Sequence, residues 1–338
     1  VKLTHSTISL IAVLVLWSGL AQAQDLHYSQ RFSSPLNLSP ALAGIYGGEH
    51  RVVANARNQW RNVPVDYLSF SASYDTKLKY EPGVTGFWGI GAQFNYDIAG
   101  YSRLALAQLG LNVSRTQRLD DRNLVTLGAQ LAGGQRYFET DELLFNDQYD
   151  PGKQTVDPTK QQFDNLNQFY PSLSVGGNWR YQVRNSRTFV NIGGGVYHLN
   201  TPDVSFYESS EVKLEQRASA YVLGTYMLTD RVDLIANYTH QWQGPHREPL
   251  AGIRGKFYLQ DPLVRTLALQ IGAHYRFDDA IIPVVKANID NWEVGFSYDL
   301  NLSDFDTASN TNGGPELAVI YTFQRIRPDI CLLCPEYL

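Results

Sequence analysis

After its first 23 residues the chain has no apolar run that approaches the roughly 20 residues of a membrane-spanning helix, so a helical membrane protein is excluded. Cysteine is almost missing. The two present, Cys331 and Cys334, fall in the last eight residues, and the main body therefore has no disulfide staple. An excess of positive charge is also absent: the net charge of −5 disfavours nucleic acid or an anionic membrane surface as partner. No H-E-x-x-H, H-x-x-E-H or G-x-S-x-G run occurs, and His27, His50, His198, His240, His246 and His274 are scattered. Tyr238-Thr239-His240 and His198 are residue types that a lipid hydrolase in a barrel wall would recruit. Polar residues where strands meet an interface are the plainer reading. The chain reads as non-enzymatic, with no cofactor and no metal. Asp147, Asp150, Asp157, Asp164, Asp304 and Asp306 match no twelve-residue calcium loop and read as solvated acidic surface.

What the 338 residues do contain is a rhythm of alternating apolar and small or polar residues in segments of about ten. Between Phe87 and Asp97, one parity carries Trp88, Ile90, Ala92, Phe94 and Tyr96, and the other carries Gly89, Gly91, Gln93, Asn95 and Asp97. Successive strand side chains point to opposite faces, so the segment has one greasy face and one wet face. The same holds for Leu267 to Phe277 and for Trp292 to Leu300; Val232 to Thr239 follows it except at Ile235. Fourteen such strands are expected, beginning near Arg51, Leu68, Phe87, Tyr101, Asn123, Tyr170, Arg187, Lys213, Val232, Leu250, Thr266, Ala280, Trp292 and Glu316. Low mean hydropathy is consistent with a barrel, whose lumen-facing half dilutes its apolar half.

Two architectures would satisfy this pattern: a β-sandwich with the apolar face inside, or a transmembrane barrel with that face against lipid. The connections favour the barrel. With both termini in the periplasm, most even-numbered connections are short, near Asp120, Arg184, Asp230, Asp261 and Asn291. The longest gap, Glu139 to Gln168, is the fifth, and others lie at Asn58–Tyr67, Asn200–Glu211, Gly244–Pro249 and Ser303–Pro315. Outer-membrane barrels sort loops this way, whereas a sandwich has no reason to. Aromatic residues at segment ends (Tyr101, Tyr137, Tyr170, Trp179, Tyr181, Tyr197, Trp242, Tyr258, Trp292, Tyr298 and Tyr321) suit two interfacial girdles. The fold expected is an all-β, antiparallel up-and-down transmembrane barrel of about 14 strands, located in the bacterial outer membrane.

Around the barrel, residues 1–23 read as a signal peptide: Lys2, then apolar Ile8 to Leu20, then Ala21-Gln22-Ala23. Residues 24–50 read as an N-terminal extension, periplasmic or lumenal, 51–325 as the barrel, and 326–338 as a periplasmic tail with a C-x-x-C. Pro35 and Pro40 exclude a regular strand or helix interior from the extension. Leu36, Leu38 and Leu42 favour its packing on or in the barrel over a free leader. A lumen of this width holds water or a plug, and arginines and acids such as Arg180, Arg276 and Glu293 face it.

The extension also carries a resemblance. Gln24-Asp25-Leu26-His27-Tyr28-Ser29-Gln30-Arg31-Phe32 precedes Ser34-Pro35-Leu36-Asn37-Leu38-Ser39-Pro40-Ala41-Leu42-Ala43-Gly44. Together they resemble the opening of the PorP/SprF family, close to Q-D-x-x-[FY]-S-Q-[FY] followed by N-P-L-x-[LI]-N-P-A-x-[AT]-G. Arg57-Asn58-Gln59-Trp60, Ser69-Phe70-Ser71-Ala72-Ser73-Tyr74-Asp75 and Cys334-Pro335 are similar to further family motifs; Ser34 and Ser39 replace the usual Asn, and Cys331 is an additional cysteine. The resemblance implies an outer-membrane component of the type IX secretion system, which is tied to gliding motility in some species. It also implies a role in exporting a large secreted adhesin and anchoring it through a type B C-terminal domain, with membrane lipid and other secretion components as further partners. Signature positions Gln30, Pro35, Leu36, Leu38, Pro40, Ala41, Gly44, Arg57, Asn58, Trp60, Ser73, Tyr74, Asp75, Cys334 and Pro335 are the candidate partner-binding residues on this basis. A passive porin or a motor-side component linked to the periplasmic ring are the alternatives.

Overall fold

Alternation sorts side chains to two faces, and a sheet of many twisted strands leaves no unpaired edge only if it closes. The computed structural model describes residues 25–59, 67–78, 86–100, 102–140, 149–150, 155–156, 165–207, 211–260, 266–302 and 312–323. Its strands are β1 (His50–Gln59), β2 (Tyr67–Lys77), β3 (Gly86–Ala99), β4 (Leu104–Arg118), β5 (Asn123–Tyr137), β6 (Tyr149–Asp150), β7 (Thr155–Val156) and β8 (Asn167–Gln182). They continue as β9 (Phe189–Tyr197), β10 (Arg217–Thr229), β11 (Val232–Gln243), β12 (His246–Tyr258), β13 (Leu267–Arg276), β14 (Ala280–Ile289), β15 (Trp292–Asn301) and β16 (Asn312–Phe323). Fourteen of them form one closed antiparallel barrel in sequence order, sealed where β1 meets β16 with His50 opposite Phe323. β6 and β7 pair only with each other, inside the long connection between β5 and β8.

Apolar residues of the outward parity stay exposed: Trp88 at 48%, Phe94 at 39% and Phe296 at 51%. The inward parity (Gln93, Asn95, Ser297 and Asp299) is buried. A sandwich would reverse the two. The apolar face is therefore the one that meets acyl chains, and the polar face closes on the lumen. Ile235, the exception in β11, points inward and is buried opposite Arg254.

Several expectations shift at the strand ends. β10 starts at Arg217 rather than near Lys213, which makes only an isolated bridge with Asp203. The expected Gly244–Pro249 loop is a two-residue turn, because β12 begins at His246 and pairs Pro249 with His240. β16 likewise starts at Asn312 and carries Pro315 opposite Tyr298. A proline removes one donor but keeps its carbonyl, and the neighbouring rungs hold these strands in register. At Pro283 the rungs fail locally: β14 pairs with β15 at Ile281 and Val284 but not between them. Three expected girdle residues, Tyr170, Tyr197 and Tyr258, are buried in the lumen instead. Trp179 and the tilted pair Trp292–Tyr321, whose ring centroids are 4.5 Å apart, remain on the outer wall. Tyr101 lies outside the described residues.

Candidate functional site

The lumen is occupied by the chain's own residues 25–49. They begin at the barrel end that carries the long connections and descend to the short-turn end, where β1 starts. The descent can be followed contact by contact. Asp25 donates its amide to Gln243 Oε1 at 2.9 Å, and its carboxylate lies 2.7 Å from His198 Nε2 and 3.2 Å from Arg217 Nε. Burial pushes the Asp25 carboxyl up, but the charges of His198 and Arg217 outweigh it and hold the group well below the ordinary carboxylate range. Beside this latch, Val204 and Leu214 from the connection between β9 and β10 pack on Leu26 and Tyr28.

One step deeper lies an ionic hub. Glu316 accepts the amides of Ser29 (2.6 Å) and Gln30 (2.9 Å). Asp299 accepts from Ser29 Oγ, Arg57 Nη2 and Arg276 Nη2 at 2.7, 2.5 and 2.7 Å. Arg57 also donates to the His27 carbonyl at 2.6 Å, and Glu248 pairs with His27 and Arg31, each at 2.7 Å. Side chains of Arg57, Asp299 and Glu316 are 2%, 1% and 0% exposed. Buried charges at this density persist only when each is paired and hydrogen-bonded. Here the partners come from both the wall and the extension.

Below the hub the extension turns through Pro35–Leu38, one helical turn, and Pro40–Leu42, a 3-10 turn. Both prolines sit in the first turn of their elements, where a missing N–H costs nothing. The wall reads the backbone that these turns expose. Tyr197 Oη donates to the Leu36 carbonyl at 2.7 Å, Ser219 Oγ to Leu38 at 2.5 Å and Ser114 Oγ to Ala43 at 2.7 Å. Asn37 bonds Gln93 and Asn95. Leu38 and Leu42 pack with Tyr221, and Leu36 is 1% exposed. Close approach requires glycine on β5: a Cβ at Gly128 would stand 2.5 Å from the amide nitrogen of Ala41. At the short-turn end, the Gly44 amide donates to Asp75 Oδ2 at 2.7 Å, and Arg51 forks the same carboxylate at 2.9 and 2.9 Å. Gly44 has a φ of +78°, which allows the chain to turn there.

The signature residues thus converge, but inside the barrel. Gln30, Pro35, Leu36, Leu38, Pro40, Ala41 and Gly44 form the lumenal segment, and Arg57 and Asp75 are its wall partners. Ser73 is half-buried on β2, Asn58 lies at the long-connection end of β1, and Tyr74 faces outward with its hydroxyl 2.8 Å from His50 Nδ1. Trp60, Cys331, Cys334 and Pro335 lie outside the described residues. Sequence names Asp25 only within the signature run and His198 only as a hydrolase candidate, and it assigns no partner role to Arg217, Glu248, Asp299 or Glu316. Inward parity marks Asp299 as lumenal, but Glu248 falls in an expected loop, and no local pattern pairs residues more than 170 positions apart. Ser172, His198 and Asp25 form a line, with Ser172 Oγ 2.8 Å from His198 Nδ1. Those are the members of a hydrolytic triad, yet Ser172 is 1% exposed and fixed behind the latch.

Residues 20–321 match the model of the type IX secretion system membrane protein PorP/SprF family, and the chain belongs to that family. No curated protein matches it. Among solved structures, a FadL homologue of Pseudomonas aeruginosa is similar over 85% of this chain and 93% of its own, with a TM-score of 0.50 and 9% identity. The CymD monoaromatic hydrocarbon channel covers 91% and 96%, with a TM-score of 0.48 and 10% identity. At such identity the FadL likeness is one of fold. The protein is an outer-membrane β-barrel of the type IX secretion family.

Proposed function

We propose that this barrel is a non-conducting, non-enzymatic anchor. In this reading it binds a large secreted adhesin-like protein through the cargo's type B C-terminal domain, helps its export and holds it at the cell surface. The observation that carries the reading is the lumenal segment: residues 25–49 cross the pore and bond to nearly every wall strand. A lumen filled with the chain's own hydrogen-bonded backbone suits a holder of cargo better than a passive porin. The partner face is then the long-connection end, which is the outer one in barrels of this type. Residues 1–23 act as an export signal, 24–50 as the lumenal plug, 51–325 as the barrel and 326–338 as a periplasmic tail.

Affinity purification of the full chain from native outer membranes tests this. Recovery of a large surface protein that is lost when its C-terminal domain is deleted supports the anchor. Recovery of periplasmic ring components alone favours a motor-side role. In planar bilayers the anchor should show no large steady conductance; steady solute-selective currents would favour the porin.

A further inference from the structure

At the outer mouth, a recess of about 280 Å³ lies between the start of the lumenal segment and the ends of β1 and β10–β13. Its lining includes Arg57, Arg217, Arg247 and Arg276, against two carboxylates, Glu248 and Asp279. Asp25 and Asp299 balance Arg217 and Arg57 from behind. Arg247 and His246 are different: both are exposed on the rim, and among the described residues no carboxylate pairs with either. A rim guanidinium and imidazole in front of buried arginines is unexpected in a chain of net charge −5.

We propose that this recess binds the carboxylates of an extended acidic peptide segment or chain terminus, presented from outside the cell. Planar guanidinium forks match carboxylates two bonds at a time. The volume is just under the ~300–1,000 Å³ of pockets that enclose a drug-sized molecule, so it suits a peptide end rather than a folded ligand. Lipid A phosphates are the competing anions. They lie along the outside of the wall, the side on which its pairing with Trp242 places Arg247, whereas His246, Arg57, Arg217 and Arg276 are at lumen-facing positions, and these four favour a soluble partner. The site deepens the anchoring reading and rests on it: the carboxylates would belong to the secreted cargo. His27, in the recess floor, belongs to the lumenal segment, so an occupant would touch plug and wall together.

The test uses the full chain in detergent and fluorescence anisotropy with a short labelled peptide ending in three acidic residues. Its amidated, all-glutamine counterpart is the control. Arg247→Gln combined with His246→Gln leaves the internal ionic hub intact. We expect the acidic peptide to bind, to weaken about tenfold in the double variant, and to weaken with added salt. Equal binding of the neutral peptide, or unchanged affinity in the variant, overturns the proposal. So does saturable binding of inorganic phosphate or lipid A vesicles, lost in the variant, with no peptide binding. Co-purification separates the two readings. If wild type retains a cargo but no acidic peptide binds, only the recess assignment falls; if wild type retains no cargo, the anchoring reading falls.

Discussion

Replacing Gly128 by alanine should unseat the lumenal segment without touching any charged residue. A Cβ at this position would stand 2.5 Å from the amide nitrogen of Ala41 and from the carbonyl carbon of Pro40, both backbone atoms that no side-chain rotation can move. Ordinary contact begins near 3.4 Å, so the Pro40–Leu42 turn must shift by about 1 Å or the strand must bow. Overpacking of this kind costs roughly 1–3 kcal/mol, equal to about a 5–150-fold shift toward a displaced segment. Gly133→Ala is the matched control: it lies on the same strand, and its Cβ would meet no atom within 4 Å. Limited proteolysis of residues 25–49 and single-channel recording in planar bilayers read the displacement. Gly128→Ala should speed cleavage and produce intermittent openings, and Gly133→Ala should do neither. Identical behaviour of the two variants would refute the position assigned to the turn, and with it the closed lumen.

Asp299→Asn should lower stability by about 3–5 kcal/mol, since it leaves buried Arg57 and Arg276 without their shared counter-charge; the temperature at which the barrel loses its compact mobility in detergent gels reports it. Acid should loosen the latch at Asp25. Its carboxyl is held low in the folded state by His198 and Arg217, so its stabilising contribution is complete above the unfolded value of about 4 and fades as pH falls below that toward the folded value. Protease sensitivity of the first lumenal residues should rise across that window in wild type, and it should be high and nearly pH-independent in Asp25→Asn. Topology has a direct test in a background of Cys331→Ser and Cys334→Ser: His27→Cys should react with an impermeant maleimide added to whole cells, and Tyr46→Cys should not. Labelling of Tyr46→Cys alone would invert the orientation.

Much of the barrel is legible in the sequence, because strand period is a local property. Trp88, Ile90 and Phe94 alternate with Gln93 and Asn95 in the sequence as they do in space. The fourteen strand positions follow from repeating that comparison along the chain. Strand ends were less legible. Pro249 and Pro315 argue against strand by their own chemistry, and only the neighbouring rungs overrule them. Tyr170, Tyr197 and Tyr258 illustrate a different limit. A tyrosine near a strand end suits a lipid interface and a polar lumen equally well, and its partner decides: the Leu36 carbonyl for Tyr197, the Asp233 carboxylate for Tyr258.

By itself, then, the sequence determined an exported, closed, antiparallel barrel with a greasy outside and a family signature at its amino end. That much depends on alternation and on motifs read over a few neighbouring residues. Tertiary structure decided that the signature lies inside the pore, that residues 25–49 cross it, and that Arg57, Asp299 and Glu316 grip His27, Ser29 and Gln30. Those contacts join residues up to 287 positions apart; they exist only after the barrel closes, because closure is what brings distant strands around one short stretch of chain.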